Sequence, residues 1–150
     1  MNGPSLHLML AHLPVVGSLI AFVLLVAGRR AEGGAPRQVG LVLALVSALA
    51  AVPTFLTGPT AVDIVRGLDP KADPYLLNHA RAGLFCLLSL LLFGTAAFAS
   101  MRLTERKPAL SANLGKLAVV LGVVAVMVGG YVAQTGYEIR HSEVRATPAK

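Results

Sequence analysis

The 150-residue chain carries four histidines, His7, His12, His79 and His141, and two of its glutamates, Glu138 and Glu143, flank the last of them. Imidazole ligates haem, copper, zinc and iron, and it titrates near neutral pH. His7 and His12 lie in Leu6-His7-Leu8-Met9-Leu10-Ala11-His12-Leu13-Pro14, at the mouth of an apolar run that meets no full charge before Arg29. An ionisable residue in such a run is costly in a bilayer and therefore points to function.

Three chemistries suit this set. The first is b-type haem held between two histidines in a helical membrane bundle. The second is a copper, zinc or iron ion held by His7, His12, His79 and His141 with Glu138 or Glu143. The third is interfacial: histidines near a membrane surface hydrogen-bond headgroups, water or loop carbonyls. His7 and His141, as the shallower pair, fit that last role most easily.

The composition fixes the setting. Hydrophobic residues make up 55% of the chain and charged residues 13%, against about 25% charged in soluble domains. The length suits one membrane domain. The net charge is +6, but the basic residues sit in short loops between apolar runs, which argues for positive-inside topology and against nucleic acid. The single cysteine, Cys86, lies in an apolar run and reads as a buried thiol. The first residues lack the basic region of a secretory signal, so the first run is expected to stay as a helix.

The expected fold is an all-α integral membrane bundle of four transmembrane helices in up-down order, near residues 6–28, 39–56, 75–100 and 114–133, with a polar tail over 134–150. Each span approaches or exceeds the roughly 20 residues that cross a bilayer. Pro14 frees the carbonyl of Leu10, which predicts a loosened turn at His12. Between the second and third helices, Thr60 to Gly67 carries Asp63 and Arg66 and predicts a short amphipathic surface helix.

Four spans put both termini on one side. The opposite side holds seven basic residues (Arg29, Arg30, Arg37, Arg102, Arg106, Lys107, Lys116) and two acidic ones, Glu32 and Glu105. That bias predicts a bacterial inner-membrane protein with both termini periplasmic. All four histidines then fall on the terminal side. At about 1.5 Å per residue, His12 lies roughly 10 Å and His79 roughly 7 Å inside their helices. Spans one and three are diagonal in such a bundle, roughly 13 Å apart. His12 and His79 are therefore the expected axial ligands. His7 and His12, five apart, differ by about 140° around an ideal helix, so only an irregular helix start lets both face one site.

Other chemistries find little support. The spans hold no mid-membrane acid to relay a proton or ion. The chain shows no hydrolase nucleophile with its base, no phosphate loop and no dinucleotide fingerprint.

Four segments taken together, His7 through Gly17, Leu56-Thr57-Gly58-Pro59-Thr60-Ala61, Asn78-His79-Ala80-Arg81-Ala82 and Gly136 through Val144, resemble a family of predicted four-helix bacterial membrane proteins of unknown function. The resemblance spans nearly the whole chain. It includes Glu143 in a His-X-Glu pattern. It departs where the family often has Glu after the third histidine, here Ala80, and an acid soon after Thr-Gly, here no nearer than Asp63. Related membrane domains are fused to c-type cytochromes, so the resemblance implies a redox role. The expected function is a small membrane redox subunit with b-type haem in quinol-linked electron transfer, partnered by quinol, a c-type cytochrome or other respiratory subunits. A non-haem metal-binding membrane protein and a structural anchor of a larger respiratory complex are the alternatives.

Overall fold

A computed structural model of the chain describes residues 3–30 and 34–145. Glu32 and the last five residues of the expected tail lie outside them. Among the described residues no strand occurs. The helices are α1 (Gly3–Leu10), α2 (His12–Arg30), α3 (Ala35–Thr57), α4 (Val62–Leu68), α5 (Asp73–Leu103) and α6 (Pro108–Arg140). Single 3-10 turns cover Gly58–Ala61, Pro70–Ala72 and Ser142–Val144. Four stretches, Gly3–Arg29, Ala35–Leu68, Pro70–Leu103 and Pro108–Arg140, are helical, long and apolar enough to cross a membrane. That is the make-up of a multi-pass membrane protein.

The long helices pack in a closed order: α2 on α3, α3 on α5, α5 on α6 and α6 back on α2. Lipid is as apolar as leucine, so close packing rather than water exclusion holds such helices together. The shared core is accordingly rich in small residues, with Ala21, Ala44, Ala97, Ala118 and Ala125 fully buried around Phe93 and Leu90. Backbones approach tightly where side chains are smallest. A Cβ at Gly94 would collide with Ala48, and one at Gly40 would lie 3.0 Å from the carbonyl oxygen of Ala21.

The first span is broken at Ala11, between α1 and α2. Proline has no amide hydrogen, so Pro14 cannot donate to the carbonyl of Leu10, and the helix restarts at His12. The last span differs from its expected end near Ala133, because α6 continues to Arg140. Gln134 donates to Glu138 one turn on, at 3.2 Å. Past the helix end, Arg145 donates to the carbonyls of Glu138 at 2.8 Å and Ile139 at 2.7 Å. These are carbonyls a helix terminus otherwise leaves without partners, so the charged tail extends the helix instead of ending it.

Candidate functional site

His7 stands on α1 above the end of α3. Its Nδ1–H donates to the Thr54 carbonyl at 2.9 Å. That carbonyl is available for a local reason. In a regular helix the Gly58 amide would bond to it, but Pro59 has no amide to offer Phe55. The Gly58 amide therefore bonds to Phe55 instead, in a tightened final turn. The Thr57 hydroxyl, at 3.0 Å, shares the same Thr54 oxygen.

His79 stands in the early part of α5. Thr135 of α6, buried at 1% exposure, is its partner. The Thr135 hydroxyl spends its one hydrogen on the Val132 carbonyl at 3.0 Å. Its oxygen therefore accepts from His79 Nδ1–H at 2.9 Å. Gly136 gives the ring room, since a Cβ there would lie 3.2 Å from His79 Cε1.

The two bonds fix the same tautomer in both rings, with the lone pair on Nε2. Metal-ligating histidines are oriented in this way, by donating the other ring nitrogen to a fixed acceptor. The rings of His7 and His79 have centroids 6.5 Å apart and planes at 87°.

All four histidines line one cavity of about 2060 Å³, whose walls include Phe55, Leu87 and Cys86. His12 is exposed, and the break at Ala11 lets it share the cavity with His7 despite their angular separation. The structure thus gives His79 a close ring partner in His7, whereas His12 lines the same space without a ring contact to it. His141 lies at the end of α6, stacked on Tyr137 with centroids 4.2 Å apart. Its Nδ1 is 2.8 Å from Glu143 Oε1. Glu143, outside the membrane-crossing stretches, has its carboxyl held below the usual range, first by its own backbone N–H and then by His141. Glu138 and Glu143 do not line the cavity. Among the described residues, no three histidines, cysteines or acids gather as a metal cluster.

Three residues of this end were not among the sequence candidates. Thr54 reads in the sequence as an ordinary small residue of an apolar run, and Thr135 as the start of the polar tail. Arg145 read as part of a polar tail, yet its side chain is only 9% exposed and its Nη1 lies 2.5 Å from Asp69. Its guanidinium also sits 4.7 Å from the centre of the Tyr75 ring, a stacking cation–π contact. A signal for the inward face of α6 was present: Gly115, Gly122, Gly129 and Gly136 recur every seven residues. Cβ atoms at these four would meet Arg37, Phe93, Val15 and His79 in turn.

Comparison of the chain with family models, with curated proteins and with solved structures returns no match in any of the three.

Proposed function

We propose that this chain is a small redox subunit of a bacterial inner membrane, an up-down bundle with α4 on the membrane surface, both termini periplasmic and b-type haem in the histidine cavity. The observation that carries the reading is the close ring pair His7 and His79. Two imidazoles sharing one metal ion through Nε2 would have centroids no more than roughly 6 Å apart, from metal–nitrogen bonds of about 2 Å. The 6.5 Å separation is close to that limit. Two ligands suffice for haem, and a site of three or more protein ligands is not assembled here among the described residues. On these grounds His7 takes the place beside His79 that the sequence assigns to His12.

When bound, the haem supplies one-electron exchange. The chain's residues do the rest. Thr54 and Thr135 hold the two rings in the ligating tautomer. Lys71 and Arg140, exposed on the cavity lining, offer cations to the propionates. His12 presents an exposed imidazole on the same cavity, placed to take a proton as a membrane quinol is oxidised. A c-type cytochrome or another respiratory subunit on the terminal side is the proposed acceptor.

The visible spectrum of detergent-purified protein, expressed with haem synthesis supported, tests the reading. We expect a low-spin b-type spectrum in the native chain and in His12→Ala. It should be lost in His7→Ala and in His79→Ala. A chain that folds yet never takes up haem sinks the proposal. Loss of the low-spin spectrum in His12→Ala, with His7→Ala intact, would restore the His12 and His79 pair.

A further inference from the structure

We propose that the cleft at the other end of the helices binds the headgroup of an anionic phospholipid. The start of α3 and the end of α5 enclose a cavity of about 610 Å³, lined by Arg37, Arg102, Arg106 and Glu105 above Leu41 and Val42. Three cations against one anion leave a net charge of +2 in a single cleft. The ion pairs of the described residues are Arg66 with Asp63 and Asp73, His141 with Glu143, and Arg145 with Asp69. Within that set, the cleft arginines balance no carboxylate.

One of the three is preorganised. Arg37 Nη2 donates to Ser100 Oγ at 2.9 Å. A Cβ at Gly115 would lie 2.9 Å from the same nitrogen, so the α6 backbone closes on the guanidinium and leaves it little freedom. A side chain already fixed gives up less entropy when a ligand arrives. Arg102, in the last turn of α5, and Arg106, in the turn that follows, are exposed at the same level.

Position and chemistry name the occupant. The cleft joins the ends of two membrane-crossing stretches, Ala35–Leu68 and Pro70–Leu103, where headgroup phosphates lie. Arginine matches phosphate oxygens bidentately. Val42, exposed beside the buried Leu41, continues from the arginines toward the apolar part of α3, as an acyl chain would need. Basic pockets between membrane helices take anionic headgroups for these reasons. A free phosphate ion would use the arginines but not the apolar wall. The inference is independent of the histidine cavity.

The test uses purified full-length protein in phosphatidylcholine vesicles, with spin-labelled phosphatidylglycerol or spin-labelled phosphatidylcholine as probe. The native protein should immobilise the anionic probe in preference to the neutral one. Arg102→Gln and Arg106→Gln, both at exposed positions, should each weaken that preference roughly fivefold. Lys107→Gln, next to the cleft but not lining it, should leave it unchanged. Equal immobilisation of both probes would overturn the proposal. So would a preference that survives the two arginine changes, or one lost equally in Lys107→Gln. Displacement of the anionic probe by millimolar inorganic phosphate would reassign the cleft to a free anion and overturn the lipid.

Discussion

At the histidine end, His7 and His79 bond across helices and line an open cavity, whereas at the arginine end Ser100, Ser111 and Thr104 close on one another. Both ends hold polar side chains between packed apolar helices. At the arginine end the bonds run in a ring: Ser100 Oγ donates to the Ser111 carbonyl at 2.8 Å, and Ser111 Oγ returns a bond to the Ser100 carbonyl at 2.7 Å. Both serines are at least 97% buried, with exposures of 0% and 3%. At the histidine end each ring commits Nδ1 to the protein and lines the cavity. A polar group in a membrane bundle is thus structural where its bonds return to the protein, and a candidate for ligand chemistry where they stop one atom short.

The largest effect should come from opening the ring. Ser100→Ala removes the acceptor of Arg37 and the donor to Ser111, and we expect a loss of about 2 kcal/mol. Unfolding in mixed micelles with a denaturing detergent would measure it. On the proposed haem reading, haem per folded molecule should not change, because none of these groups lines the histidine cavity. If the native chain binds haem and a folded Ser100→Ala protein does not, the distinction between the ends is erased.

Thr135→Val should do the reverse. Single bonds between membrane helices average about 0.6 kcal/mol, so stability should fall only slightly. The effect should instead appear in the site. Without its acceptor, His79 Nδ1–H no longer strengthens Nε2 as a donor to metal. A bound haem should therefore move to a higher midpoint potential, and Thr135→Ser should restore the native value. An unchanged potential in Thr135→Val would mean that Thr135 only packs.

Much of this contrast was legible in the sequence. Charge and hydropathy marked four spans, and the spacing of histidines set them at one end. Pro14 marked the break beside His12. The identity of the facing pair was not legible, because it depends on how far the break at Ala11 turns α1 relative to α2, and helix periodicity carries no information across a break. The partner of His79 was hidden for a different reason. Thr135 lies just past the expected end of the last span, and only the extension of α6 to Arg140 and the facing helix show that its hydroxyl accepts a bond. The glycines at seven-residue spacing came nearer, since they mark the face of α6 on which Thr135's neighbour Gly136 lies. The tail misled for a third reason. Arg145 follows six residues of mixed polarity, and its burial depends on Asp69, which lies on the loop before α5.

That tail yields the smallest and most specific effect, one that should separate the ends by pH. Asp69 lies between membrane-crossing stretches, and its carboxyl is held below its ordinary value, first by the hydrogen bond from Arg145 and then by the Lys71 backbone N–H. A carboxyl whose folded pKa is lowered stabilises the folded form above its unfolded value, about 3.9, and loses that contribution as pH falls through the lower folded value. The Asp69–Arg145 pair holds the chain that caps α6 beside the cavity. Glu143 shifts in the same direction, so the two acids should release the tail over the same acid range. The hydrogen bonds that join Ser100 and Ser111 at the other end involve no carboxylate. Hydrogen-exchange protection of amides 141–145 should therefore stay level from neutral pH to about pH 5 and drop below about pH 4, while amides around Ser111 keep theirs. In Asp69→Asn the tail should already be loose at neutral pH and change less on acidification. If protection at the two ends fell together, the whole bundle would be unfolding in acid. If Asp69→Asn left the tail as protected as before, Arg145 would be held by the Glu138 and Ile139 carbonyls and the Tyr75 ring without Asp69.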